Sequence, residues 1–321
     1  MGNAAPLVTV LIPAYNHERY VQESIMSVLA QDWPRIELVV IDDGSTDATW
    51  SKICSLKETC EKTLERVVFR TKQNEGTCRT MNLGLSMAHG EYVLLCASDD
   101  RLLPGAIGAL IGPMLVDLEI GLTVGQNLLI DATGARIYWD NRLNPVYERN
   151  KATYESFSDH FHRCFQLPVG SPDFGRYETF LKYNHVANGY LIRRSCLELI
   201  GPFRSEAPLE DYWMHLQLSK ITRYLEIPQA TFEYRWHAAN TAKRREHLYE
   251  MARKTLRWEW ERNGGASAAE SFCRKMITSR KIRRYVGCLL WREDLAFSYF
   301  PAVRMWHVLG RRWVSCGSLP F

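Results

Sequence analysis

Asp99 and Asp100 stand side by side just past the apolar run Tyr92-Val-Leu-Leu-Cys96. Adjacent carboxylates at the end of a strand are hard oxygen ligands, of the kind that share Mg²⁺ or Mn²⁺ with a diphosphate. A metal there would neutralise charge on a phosphate leaving group. The same pair would also serve a solvated turn capping the next helix, and a two-residue motif does not choose between these. Two more polar clusters follow short apolar runs: Pro13-Ala14-Tyr15-Asn16, and Asp42-Asp43-Gly44-Ser45. A second acidic pair, Glu210-Asp211, opens a helical pattern, where carboxylates also complement the positive end of a helix. None of the nine histidines falls in an HExxH or related metal spacing.

The elements that must position these residues are read from periodicity. The first 130 residues alternate β-branched runs with longer helical patterns, the signature of βαβ units on a mostly parallel sheet. Strands are expected at Val8–Ile12, Glu37–Ile41, Arg66–Phe69, Glu91–Cys96 and Gly121–Gly125, with helices at Arg19–Ala30, Thr46–Cys60, Thr77–His89 and Pro104–Asp117. Ser45 is expected to cap the second helix and Pro104 to sit in the first turn of the fourth. Sheets of this class bind ligands where the loops converge at the carboxyl ends of the strands, which is where the polar clusters fall. From 131 to 185 the pattern weakens to loops, with a hairpin turn at Asp131–Gly134 and one helix over Tyr154–Phe165; such loops carry specificity. A strand at Tyr190–Ile192 and helices from Arg194 and Glu210 follow, and beyond His237 the chain turns helical, basic and Trp-rich.

With 321 residues and 46% hydrophobic content, the chain can bury one large core with extensions, or two small domains sharing an interface. Its net charge of +4 is uneven: residues 241–321 hold 17 Lys and Arg against 7 Asp and Glu, a balance of +10, leaving −6 for residues 1–240. A basic segment suits anionic lipid, an anionic substrate or nucleic acid, or simply solvated helix faces. Nine cysteines, an odd number without a CxxC pair, favour a reducing compartment. The N-terminus lacks a signal-peptide layout and completes no myristoylation pattern, and no run reaches the roughly 18 apolar residues of a membrane span. A cytoplasmic protein is expected.

The runs VTVLIPAYNHERYVQESIMSVLAQDWPRIELVVIDDGSTDAT and NEGTCRTMNLGLSMAHGEYVLLCASDDRLLPGAI closely resemble the nucleotide-binding half of family 2 glycosyltransferases, which have the GT-A fold. The resemblance covers about the first 110 residues and resumes more weakly at Gly189–Ser219 and Tyr234–Thr241, whereas 126–185 and 250–321 carry none. It implies that Pro13, Ala14, Tyr15 and Asn16 lie along the nucleoside, that Asp43 bonds the base, and that Asp42 supports the ribose side or the turn. Arg79 is similar to a basic residue near the diphosphate, though a helix-surface charge reads the same. The family's metal motif is often Asp-x-Asp; here it is Ala97-Ser98-Asp99 followed by Asp100. By resemblance Asp100 is the principal metal ligand, and Ser98 and Asp99 contact the sugar or ribose. Pro208-Leu209-Glu210-Asp211-Tyr212-Trp213 resembles the segment whose Asp removes the proton of the acceptor hydroxyl, making Asp211 the general base. Tyr234-Arg235-Trp236-His237 resembles a segment whose His approaches the metal or diphosphate, and imidazole suits Mn²⁺.

The reaction so implied is a single inverting displacement, in which an acceptor hydroxyl attacks the anomeric carbon of a UDP-sugar as the nucleoside diphosphate leaves, with Mn²⁺ or Mg²⁺ as cofactor. The expected acceptor is a saccharide or lipid-linked saccharide, as in surface polysaccharide synthesis, and nucleic acid is not expected as a partner. A GT-A catalytic domain is assigned to 1–240, with 1–125 binding the nucleotide sugar and 126–240 the acceptor; 241–321 is a helical basic extension. Within it, 270–321 offers Arg274-Lys275, Arg280-Lys281, Arg283-Arg284 and Arg311-Arg312-Trp313 for peripheral contact with anionic lipid on the cytoplasmic face, or packs on the catalytic domain. A sugar nucleotidyltransferase would also use a parallel sheet and a metal, but needs a glycine-rich phosphate loop where Pro13-Ala14-Tyr15-Asn16 stands. A non-catalytic protein on the same fold is the third reading, which the retained Asp43, Asp100 and Asp211 disfavour.

Overall fold

The computed structural model describes residues 4–262. Ten strands form one sheet: β1 Val8–Ala14, β2 Ile36–Asp42, β3 Arg66–Thr71, β4 Tyr92–Leu95, β5 Arg101–Leu102, β6 Ile120–Asp131, β7 Arg136–Trp139, β8 Pro145–Val146, β9 Tyr190–Arg193 and β10 Arg223–Trp236. Their order is β3-β2-β1-β4-β9-β6-β10-β5, with β7 on β6 and β8 on β7. The helices are α1 Val21–Leu29, α2 Thr49–Ser55, α3 Lys57–Thr63, α4 Thr77–Met87, α5 Ala106–Val116, α6 Phe157–Phe165, α7 Tyr177–Phe180, α8 Arg194–Ile200, α9 Glu210–Leu218 and α10 Arg245–Arg262.

Continuous apolar runs make the central strands because both sheet faces are covered. Successive side chains point to opposite faces. On one side Val10, Ile12, Leu38 and Val40 join Ile25 of α1 and Ile107 and Leu110 of α5. On the other, Leu11, Val39 and Ile41 join Met81 of α4, Leu197 of α8 and Trp213 of α9. Each such aliphatic side chain contributes roughly 1.5–3 kcal/mol of burial. Glu37, buried in β2, is the charged exception, and it is compensated by Arg66, by the Thr9 hydroxyl and by the His89 amide at 2.7 Å. This pairing rigidifies the sheet away from the strand ends that carry the polar clusters.

Several expectations need correction. The second helix breaks into α2 and α3 and starts at Thr49 rather than Thr46, so Ser45 caps nothing; its hydroxyl instead accepts the Asn16 amide at 2.9 Å. Pro104 precedes the helix, which starts at Ala106 after Gly105 takes a left-handed φ of 72°. β6 runs past Gly125 to the Asp131 turn, where Gly134, with φ of 87°, donates to the Asp131 carbonyl at 3.0 Å. β10, the longest strand, was not expected: its 14 residues mix charges with Pro228, and its register against β6 shifts between Glu226 and Ala230, where proline offers no amide. α10 packs on α9, with Glu259 accepting the Tyr177 hydroxyl and the Gln217 amide, each at 2.6 Å. Among the described residues no helix is long and apolar enough to cross a membrane. The segment 270–321, where membrane contact was expected, lies outside them.

Candidate active site

Parallel pairing sets the ends of β1, β2 and β4 along one rim, with Ala14 opposite Asp42 and Leu11 opposite Leu95. Antiparallel β9 begins at that rim, since Leu191 faces Leu94, and β10, parallel to β6, ends there. Past β1 the chain turns at Asn16, whose φ of 52° suits an Asn better than a β-branched residue. Its side-chain carbonyl accepts the Thr46 amide at 2.9 Å, stitching the loop after β1 to that after β2. Pro13 and Ala14 close β1 itself, and Tyr15 is exposed.

Asp42 and Asp43 close β2. One oxygen of Asp42 takes the Thr71 hydroxyl at 2.8 Å, and the other is buried without a partner. Asp43 is held by the Lys72 ammonium and by the amides of Glu75 and Gly76, each at 3.0 Å. Burial opposes its ionisation, but these donors keep its carboxyl below the usual range. The turn after it requires Gly44: φ is 71°, and a Cβ would sit 2.7 Å from the Asn74 nitrogen. Arg79, expected near a diphosphate, lies exposed on α4 in an ion pair with Glu75 at 2.7 Å.

The turn between β4 and β5 carries Ser98, Asp99 and Asp100, all buried. Asp99 Oδ2 lies 2.9 Å from His237 Nε2 and 3.8 Å from His17 Nε2. The other nitrogen of His17, Nδ1, bonds the Ser98 hydroxyl at 2.7 Å, which fixes the ring and leaves Nε2 toward Asp99. Burial works against the Asp99 charge, yet the His237 bond and nearby His17 hold it below the usual carboxylate range. Asp100 faces the other way: its Oδ1 accepts the Arg235 amide at 2.8 Å, and its Oδ2 is buried with no partner. Burial and the Asp99 charge push its carboxyl well up. The fully buried Arg235 guanidinium braces the turn, donating to the Asp99 carbonyl at 2.8 Å and to Glu23 at 2.7 Å.

Asp211 opens α9, where Asn184 donates to it at 3.2 Å and the Tyr212 amide at 2.6 Å. Burial raises its carboxyl; burial and the Asp211 charge push the neighbouring Glu210 up to about 8. Two asparagines tie this pair to the aspartate turn, for Asn184 holds Asp211 and Asn188 lies near enough to Asp100 to favour its ionised form. Four residues of chain reach at most about 14 Å, so the two acidic pairs share one region. Burial first, and then the charges of Asp100, Asp99 and Asp211, raise the Tyr234 phenol.

Asp99, Asp100, Asp211 and His237 are thus brought together, with Asp43 farther along the same rim. The metal assigned by resemblance to Asp100 and His237 finds a different grouping: His17, Asp99 and His237 offer one ligand atom each, all within 4.8 Å of one another. Two imidazoles and a carboxylate fit a borderline divalent ion such as Mn²⁺. Sequence reading missed His17, Arg235 and the two asparagines; the only signal for His17 was its place directly after Asn16 at the end of β1.

The sequence model described as Glycosyl transferase family 2 matches residues 9–171. An uncharacterized glycosyltransferase of Haemophilus influenzae is 28% identical over 262 residues, which cover 79% of this chain and 73% of that protein. Hyaluronan synthase of Pasteurella multocida is 30% identical over 203 residues, 60% of this chain but only 20% of its own length. Among solved structures, a Pyrobaculum calidifontis mannosyltransferase in complex with GDP-Man and Mn²⁺ aligns at TM-score 0.56 and 16% identity, over 98% of this chain and 86% of that one. Residues 1–349 of S. aureus TarS, in complex with UDP-GlcNAc, align at TM-score 0.57 and 16% identity, over 95% and 92% of the two chains. Sequence match and shared α/β architecture agree: the chain belongs to glycosyl transferase family 2 and has the GT-A fold.

Proposed function

We propose that this chain is an inverting, metal-dependent transferase that moves a sugar from a UDP-sugar to a hydroxyl of a saccharide or lipid-linked saccharide in surface polysaccharide synthesis. The observation that carries this reading is the meeting, at one rim, of a His17–Asp99–His237 ligand set with a second acidic pair of raised affinity for protons. The unpartnered buried oxygen of Asp100 beside that set is also consistent with a cation in the region. His17, Asp99 and His237 would hold Mn²⁺ or Mg²⁺, which when bound supplies positive charge to the departing diphosphate. Asp43 and the loop after β1 would receive the nucleoside, and Arg79 would have to leave Glu75 to reach a phosphate.

Asp211 would take the acceptor proton. A sugar hydroxyl is a poor nucleophile at neutral pH, and a carboxylate of raised pKa accepts its proton more readily as the new bond forms. Asn184 fixes one oxygen of Asp211 and the Tyr212 amide the other, so the carboxylate is oriented by the protein. In this reading residues 1–125 bind donor, 126–240 bind acceptor, and 241–321 form an extension whose described part, α10, packs against α9. We also place the protein in the cytoplasm, with 270–321 touching anionic lipid.

Hydrolysis of UDP-sugars and GDP-sugars by the purified chain, with and without Mn²⁺ and a chelator, tests the reading. Slow, metal-dependent release of nucleoside diphosphate from one donor class is expected. No binding and no turnover with any donor would leave only a non-catalytic protein on this fold.

A further inference from the structure

Next to the candidate site lies a cavity of about 250 Å³. Its wall includes Trp139 of β7, Arg142 from the turn before β8, Phe157 of α6, Trp236 at the end of β10, and Lys243. Trp236 is the chain neighbour of His237, and Phe157 and Trp236 pack on Tyr234 with ring centroids 5.3 and 6.4 Å away. Tyr234 is the side chain that feels Asp99, Asp100 and Asp211. The cavity wall is therefore joined to Tyr234 through Phe157 and Trp236.

The chemistry of the wall is lopsided. Its two charged side chains, Arg142 and Lys243, are both cations, and no carboxylate lines it, while the Asp140 carboxylate behind the wall bonds the Arg142 and Asn144 amides. Lys243 sits 4.7 Å from the Trp236 ring centroid and forms no ion pair among the described residues, and burial lowers its pKa. Trp139 is 1% exposed, yet its indole N–H has no acceptor, an omission that costs on the order of 1–3 kcal/mol unless something fills it. Trp139 packs edge-on against Trp236, ring centroids 4.9 Å apart at 67°, and the part-buried Trp236 is the aromatic surface that suits the C–H face of a pyranose. Neutral sugars bring hydroxyls that donate as well as accept, whereas a carboxylate or phosphate only accepts.

Resting on the transferase reading above, we infer that this cavity is an acceptor subsite for a sugar residue carrying a negative charge, as a carboxylate or a phosphate. Arg142 and Lys243 receive the charge and Trp236 the ring. The acceptor is thereby anchored one step from the residue that takes the new sugar.

Ligand-observed NMR on the full chain tests this, with methyl β-glucuronide, glucose 1-phosphate and methyl β-glucoside as probes. The charged probes are expected to bind about tenfold tighter than the glucoside, and the advantage to fall to about threefold or less in the Arg142→Gln, Lys243→Gln double variant, with Lys243→Arg retaining it. A glucuronide favoured over the phosphate assigns a uronate residue, and the reverse assigns a phosphosugar. Equal binding of charged and neutral probes, or an advantage untouched in the double variant, overturns the inference. Should that variant fail to fold, the wild-type salt response decides: glucuronide binding must weaken as ionic strength rises, and indifference to salt is fatal to the idea. Donor hydrolysis is scored on the same wild-type samples. Hydrolysis without a charge preference sinks the subsite alone, and a charge preference without hydrolysis of any donor sinks the transferase reading alone.

Discussion

Two pairs of adjacent carboxylates lie at one end of the sheet, and the fold treats them in opposite ways. In the turn after β4, Asp99 faces two imidazoles and keeps its charge, while Asp100 receives a single backbone amide and is pushed toward the neutral acid. At the start of α9, no cation among the described residues pairs with Glu210 or Asp211, and both are pushed up. Neighbouring acids cannot both ionise cheaply when buried, so what stands opposite each decides its charge. In the proposed reading, imidazoles opposite Asp99 suit that turn to a metal, and amide donors around Asp211 suit α9 to a base.

The difference is most sharply broken at Asp211. Asp211→Asn keeps the Asn184 side but removes the proton acceptor, and is expected to cut kcat by about 10²–10⁴-fold while Mn²⁺ and UDP still bind, read by transfer rates beside calorimetry. Equal loss of nucleotide binding would show that the two pairs act as one site. A smaller effect is expected at the other pair. His237→Ala removes one nitrogen from the ligand set and should weaken Mn²⁺ at least about tenfold, with transfer partly restored at high metal. Metal affinity unmoved by that change would detach the histidines from the ion.

The smallest effect is on stability. Glu210 has a folded-state pKa of about 8, above the ordinary glutamate value of 4.5, so between these the folded chain holds a proton that the unfolded chain releases. Stability from this group is present at low pH and lost as pH rises toward 8. Glu210→Gln mimics the neutral acid, so it should match wild type near pH 4 and become increasingly more stable than wild type as pH rises to 9, seen as a higher unfolding midpoint. A variant less stable than wild type at high pH would mean that the Glu210 charge has a partner after all.

The donor half was the readable half. Runs such as Val8–Ile12 and Glu37–Ile41 are buried on both faces, so their apolar content is continuous and their ends are marked by the polar residues that follow. Local bonding moved edges and split one helix: α2 begins at Thr49 rather than Thr46, with the Ser45 hydroxyl turned to Asn16, and ends before α3 starts at Lys57. β10 escaped notice since its charges are compensated across the sheet, as where Arg101 pairs with Glu233 at 2.7 Å, and local pattern carries no record of a partner 132 residues away.

By itself the sequence determined the family, the parallel α/β architecture, and the fact that Asp43, Asp99 and Asp100 belong to loops after strands and Asp211 to the start of a helix. Only the tertiary structure decided which aspartate meets the histidines, that His17 joins them, that Arg79 pairs with Glu75, and that a cationic aromatic cavity lies beside His237. The reason is physical. Element type follows from periodicity within a few residues, whereas ligand sets, proton affinities and cavity walls arise from side chains that meet only after strands far apart in the chain have paired.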